Sequence, residues 1–164
     1  MEFPSGFLTM NNSEAELRFL MDMIPELIVL KDGEGRLLMC NRPVRELLQL
    51  DESVFRYKTD MELAELQPRL RDILEYNCSM DELAWNKASA LIIEKSFEAF
   101  GGSEDVWEIV KTPIFGEHGE RERIVSVSRN VTERKIAEKK LHESQERFRF
   151  IAVMDLKKWN GSKL

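Results

Sequence analysis

Three extended segments in the C-terminal half, Leu91–Phe100, Val106–Phe115 and Ile124–Val131, constrain the fold of this chain most. Gly101-Gly102-Ser103 and Gly116-Glu117-His118-Gly119 separate them. β-rich runs joined by short glycine-bearing turns read as an antiparallel meander. The last run alternates, with Val125, Val127 and Val131 against Ser126, Ser128 and Asn130, so its two faces are chemically unlike.

Upstream the period is different. Ser13 and Glu16 form a capping box for a helix whose apolar face is Leu17, Leu20, Met21 and Ile24, and Pro25 ends it. Leu27–Leu30 and Leu37–Cys40 flank Asp32-Gly33-Glu34-Gly35 and read as a β-hairpin. Asn41 is then a candidate N-cap for a helix carrying Val44, Leu47, Leu48 and Leu50, with Pro43 near its start. From Thr59 to Ala88 the pattern is helical in three pieces: Met61, Leu63 and Leu66; Leu70, Ile73 and Leu74 after Pro68; and Asp81, Leu83, Ala84 and Trp85. The order is helix, two strands, several helices, three strands and a long helix. It predicts an α+β domain, a five-stranded antiparallel sheet with helices on one face and further helices at both ends.

After Thr132 the chain is highly charged and helical. Ala137, Leu141, Ser144, Phe148 and Ile151 follow heptad spacing over about two repeats. Such a stripe suits an ordinary amphipathic helix packed on its own domain, or a parallel dimeric linker, and two heptads do not separate these.

Composition narrows the function classes. A net charge of −6 argues against nucleic-acid binding, and the one basic cluster, Arg134, Lys135, Lys139 and Lys140, is interleaved with Glu133 and Glu138 as on a solvated helix face. No apolar run reaches the length that spans a bilayer, so no direct membrane contact is expected. Cys40 and Cys78 have no metal-like spacing, and His118 and His142 lie far from both. A reducing, cytoplasmic setting fits them best. No Ser–His–Asp order, HExxH or phosphate-cradling glycine loop is present, so no catalysis is expected, and Asp60, Asp81 and Glu82 read as helix caps and surface charges.

Several segments resemble the PAS domains of bacterial sensors. ELIVLKDGEGRLLMCN, Glu26 to Asn41, resembles the opening hairpin with its D-x-x-G turn and terminal Asn. Tyr57-Lys58-Thr59-Asp60 resembles the G-K-T-D segment. Asp81–Trp85 followed by Glu94 resembles the long helix leading into the third strand. Trp107–Pro113 resembles W-x-x-x-K-T-P, and Arg129–Lys135 resembles the closing R-D-I-T-E-R-K, the PAC motif. Asn130 replaces the usual Asp, which removes a charge from the strand–helix junction, while Thr132 remains able to cap the outgoing helix. The resemblance runs from about Ser13 to Leu141. It divides the chain into a leader over 1–12, a PAS domain over 13–132, a linker helix over 133–152 and a tail over 153–164 that is either disordered or the start of a further module. SQERFRFI at Ser144–Ile151 is similar to SEAELRFL at Ser13–Leu20, as if a second such domain followed.

The resemblance implies a cavity between sheet and helices. By strand parity Trp107, Ile109 and Lys111 share a face, as do Ser126 and Ser128. With Trp85 and Phe97 they form the candidate pocket for an unknown small molecule, although core packing is the plainer role for each aromatic. Heme is not expected, since neither His118 in a turn nor His142 on the exit helix suits a proximal ligand. Asn77-Cys78 lacks the flanking residues of a LOV flavin-adduct motif and sits just before the long helix, so such an adduct is not expected either. The implied function is a sensory input module of a homodimer, passing its state through Asn130, Thr132, Arg134, Leu141 and Phe148 to an output domain of the same polypeptide, such as a histidine kinase or diguanylate cyclase. The alternative is a ligand-free dimerisation module.

Overall fold

The computed structural model describes residues 9–98 and 104–161. The expected turn at Gly101-Gly102-Ser103 lies outside the described residues, as do residues 1–8 of the expected leader and residues 162–164 of the tail. Helix α1 (Thr9–Asp22) comes first among the described residues, starting four residues before Ser13. Strands β1 (Leu27–Asp32) and β2 (Leu37–Cys40) follow, then helices α2 (Arg42–Leu48), α3 (Glu52–Phe55) and α4 (Asp60–Leu66). A 3₁₀ turn at Pro68–Leu70 leads into α5 (Arg71–Lys87). Strands β3 (Leu91–Glu98), β4 (Glu104–Phe115) and β5 (Arg121–Asn130) precede the long helix α6 (Thr132–Gly161).

The five strands make one antiparallel sheet in the order β2-β1-β5-β4-β3. The pairings of the expected hairpin, β1–β2, and of the expected meander, β3–β4 and β4–β5, are present, and the β1–β5 pairing, with Val29 opposite Ser126, joins them into a single layer. The β1–β2 turn works as its sequence demands. Asp32 Oδ1 accepts from the amides of Glu34 and Arg36, at 3.0 and 2.8 Å. A β-carbon on Gly33 would stand 2.0 Å from the carbonyl oxygen of Arg121, so only glycine lets this turn lie against the end of β5.

Helices α2 to α5 cover one face of the sheet. Their apolar positions close a core of Leu37, Val44, Leu48, Phe55, Leu63, Ala64, Leu70 and Leu74. A second, smaller cluster gathers Ala84, Trp85 and Ile124 against Leu91 and Phe115. α4 begins with the capping box of Thr59 and Glu62. The segment expected as separate helical pieces from Pro68 onward is one continuous helix after the 3₁₀ turn, so Cys78 lies inside α5 and not before it.

The expected cap of α2 is made by another residue. Asn41 precedes α2, yet its side chain makes no cap bond. It is fully buried, accepts from the Ile28 amide at 3.0 Å and donates to the carbonyls of Met21, Ile24 and Glu26. The first amide of α2, on Arg42, is taken at 2.7 Å by Asp22 at the end of α1. Asn41 thus ties the end of α1 to β1. Its amide group both donates and accepts, and only such a group satisfies that set.

Candidate functional site

The site is a cavity of about 510 Å³ between the sheet and α2, α4 and α5, within the size range of small-ligand pockets. Its walls are mostly apolar: Val44, Leu47, Leu63, Leu70, Ile73 and Leu74 from the helices, and Leu27, Val29, Phe97, Trp107 and Ile109 from the sheet. Polar groups reach it from Lys31, Asp60, Asn77, Asp105, Lys111, Ser126 and Ser128.

A buried charge network closes one end. Lys31 Nζ donates to Asp60 Oδ2 at 2.5 Å and to Asp81 Oδ2 at 2.7 Å. The other oxygen of Asp81 accepts from Lys111 Nζ at 2.5 Å, and Lys111 reaches Ser126 Oγ at 3.5 Å. The chain of contacts is therefore Asp60–Lys31–Asp81–Lys111–Ser126. All five residues are buried, Lys111 being only 1% exposed. Asp60 and Asp81 are accordingly neither caps nor surface charges. Each sits on the inward face of its helix, Asp81 one turn before Ala84 and Trp85, where the Lys31 and Lys111 ammonium groups both meet it. Thr59 does the capping at α4 instead.

Burial sets the ionisation of these groups. It lifts the Asp60 carboxyl above its ordinary value, with Lys31 pulling the other way. It depresses Lys111, offset in part by Asp81. For Lys31 burial also lowers the pKa, but Asp60 and Asp81 together outweigh it and hold the ammonium protonated. Among the described residues, no buried side-chain nitrogen or oxygen lacks a hydrogen-bond partner.

The sequence model of the PAS fold matches residues 21–136. The chain belongs to the PAS fold family. Members of this family are generally regulatory modules that sense or interact and do not catalyse. Solved structures agree on the fold. The PAS domain of BvgS from Bordetella pertussis is 21% identical, with a TM-score of 0.54, over 84% of this chain and 99% of that one. The phage VqmA–DPO complex is 16% identical, with a TM-score of 0.58, over 82% of this chain and 60% of that one. An RNA-binding light-oxygen-voltage receptor is 14% identical, with a TM-score of 0.55, over 92% of this chain and 42% of that one. Among curated protein sequences none matches this chain. Among the described residues, no helix is long and apolar enough to cross a membrane.

Within this PAS domain most of the expected pocket residues come together. Phe97, Trp107, Ile109, Lys111, Ser126 and Ser128 all line the cavity, and the register pairs Lys111 with Ser126 and Ile109 with Ser128. Trp85 is the exception. It lies beyond the charged network in the second cluster, edge-on to Phe115 at 5.2 Å between centroids, with the Arg121 guanidinium 5.3 Å over its ring. Trp85 falls one turn past Asp81 on α5, and that turn carries it to the far side of the network.

The expected relay residues divide in two. Asn130 Oδ1 accepts from both the amide and the hydroxyl of Thr132, at 3.0 and 2.6 Å. Thr132 Oγ1 accepts from the Val106 amide of β4 at 2.9 Å. So Asn130 serves the first amide of α6, and Thr132 staples the helix start to β4 instead of capping it. Arg134 pairs with Glu108 of β4 at 3.3 Å, and Lys135 pairs with Glu94 of β3 at 2.7 Å. Leu141 and Phe148, by contrast, are 60% and 72% exposed, so the heptad stripe does not pack on its own domain. α6 continues through residues 153–161, where a separate tail was expected.

His118 lies in the exposed β4–β5 turn, and His142 is exposed on α6. Cys78 is half-buried, and burial raises its thiol pKa; Cys40 is pushed up to about 12 for the same reason.

Sequence reasoning missed Lys31, Asp60, Asp81, Asn77 and Asp105. A signal for Lys31 existed, because it shares strand parity with Leu27 and Val29. Asp81 likewise continues the stripe of Leu74, Ala84 and Trp85. Charges on inward positions of one strand and one helix imply partners.

Proposed function

We propose that this PAS domain is the sensory input module of a cytoplasmic bacterial signalling protein. It takes a small molecule in its cavity and relays occupancy, as a homodimer, through α6 to an output domain of the same polypeptide. The observation that carries this reading is the continuity of β5. Ser126 and Ser128 line the cavity, Asn130 ends the strand, and α6 begins at Thr132. A ligand that shifts β5 therefore acts within one residue of the helix start, which a two-state dimeric linker can amplify. The exposed apolar positions Leu141, Phe148 and Ile151 suit pairing with a second α6. The test is native mass spectrometry of the purified domain together with output of the full-length protein carrying Leu141→Gly and Phe148→Gly. A retained small-molecule mass and uncoupled output support the reading. An empty domain and unchanged output overturn it.

A ligand-free dimerisation module is the second reading. It is favoured by the completeness of the buried network, whose polar atoms are satisfied by one another.

A further inference from the structure

We infer that the cavity takes an electrically neutral molecule with an apolar body and one hydrogen-bond acceptor, of the amide or ketone carbonyl type, seated on Lys111 and Ser126. This inference rests on the sensory reading of the cavity and adds the class of ligand to it.

The argument is one of charge placement. Lys31 and Lys111 are balanced within the network by Asp60 and Asp81. An anion approaching Lys111 would also approach Asp81, which holds that ammonium at 2.5 Å, so attraction and repulsion nearly cancel. The anion would then lose its water without compensation. A cation approaching Asp60 meets Lys31 in the same way. Asp105 is the remaining carboxylate on the lining, six residues from Lys111 and so about 20 Å away along β4. It is half-exposed, where solvent weakens any ion pair, and its charge further disfavours an anion.

A neutral acceptor escapes these costs. The Lys111 ammonium has three N–H groups, and among the described residues its acceptors are Asp81 Oδ1 and the distant Ser126 hydroxyl at 3.5 Å. One donor and a loosely held hydroxyl therefore stand together at the polar end of a mostly apolar chamber, whose polar groups outside the network are Asn77, Asp105 and Ser128. Leu27, Val29, Ile109 and Trp107 line the way from that end toward Asp105, so the body of the ligand must be apolar.

Four probes with one ring and different heads separate the possibilities: benzamide, benzoate, benzylamine and toluene, titrated calorimetrically into the purified domain at neutral pH. The expected order has benzamide tightest, by about tenfold over toluene and over benzoate, the gain of one charge-assisted hydrogen bond. Lys111→Met should reduce benzamide to the toluene level. Ser126→Ala disturbs only the 3.5 Å contact and serves if the first variant does not fold; it should weaken benzamide several-fold and leave toluene unchanged. Tighter binding of benzoate or benzylamine, equal binding of toluene and benzamide, or a Ser126→Ala domain that binds benzamide unchanged overturns the ligand class and leaves the cavity a binding site. Binding of none of the four overturns both.

Discussion

Asp81 gives one carboxylate oxygen to Lys111, at 2.5 Å, and the other to Lys31, at 2.7 Å. Removing either partner leaves an unbalanced buried charge. Lys111→Met alone should cost about 3 kcal/mol or more, while Lys111→Met with Asp81→Asn should cost less than the sum of the single changes by about 1–3 kcal/mol. Urea denaturation of the four proteins of this cycle checks it, and strict additivity would contradict the network as described.

Asn41 should tolerate no substitution. Asn41→Leu strands the carbonyls of Met21, Ile24 and Glu26 together with the Ile28 amide, a loss of about 3 kcal/mol or more. Asn41→Asp has nearly the same shape and should be comparably harmful, because an oxygen then faces three acceptors. Thermal unfolding of both variants measures this, and a mild Asn41→Asp would count against the assignment of its amide.

Tyr57 has φ of 65°, in the left-handed region that side chains disfavour, at the position where the resembled segment carries glycine. Its ring is exposed and lies beneath the Arg56 guanidinium at 5.2 Å, a contact of small value. Tyr57→Gly should therefore be neutral or stabilising by up to about 1 kcal/mol, relief of backbone strain being offset in part by a more flexible unfolded chain. Tyr57→Val should be destabilising. Chemical denaturation midpoints on opposite sides of the wild type are the expected result.

Acid should loosen α1 before the sheet. Arg18 of α1 holds Glu52, and Asp22 of α1 holds Arg45, at 3.0 and 2.7 Å. The Arg45 hydrogen bond keeps the Asp22 carboxyl below its ordinary 3.8, and the Arg18 hydrogen bond keeps Glu52 below 4.5. Depressed carboxyls stabilise fully above their ordinary values and lose that contribution as pH falls through the lowered ones. Amide exchange in residues 13–22 should then rise relative to β4 and β5 below about pH 4, and an unchanged ratio would refute the tether.

Thr132→Val should remove the acceptor of the Val106 amide, weakening the β4–α6 staple by about 1 kcal/mol. Arg134→Ala, at an exposed pair, should change stability by less than about 1 kcal/mol. Exchange of the first α6 amides distinguishes the two variants, and equal effects would contradict the staple.

The hairpins, the meander and the inward serines were legible because strand parity is a local property of sequence. Ser126 and Ser128 alternate with Val125 and Val127, which puts the two serines on one face, and the resemblance to the family turned that face toward a cavity. The network was not legible, because its four charges come from β1, α4, α5 and β4, and nothing local tells Lys31 that Asp81 lies opposite. Trp85 was placed in the pocket because size and aromaticity do not reveal which side of Asp81 a helix turn reaches. Asn41 carried a helix-start signal but was drawn away by three carbonyls from the end of α1 and the segment that follows it, a tertiary demand stronger than a local cap.

The sharing of Asp81 also bears on how such a chamber changes over generations. A lineage that loses one of its two acids or two bases keeps a naked charge in an apolar interior, and most such descendants fold poorly. Decay of the network is therefore expected to proceed in matched steps, one acid leaving with one base. Kindred chambers should carry four of these charges, two or none, and seldom an odd number.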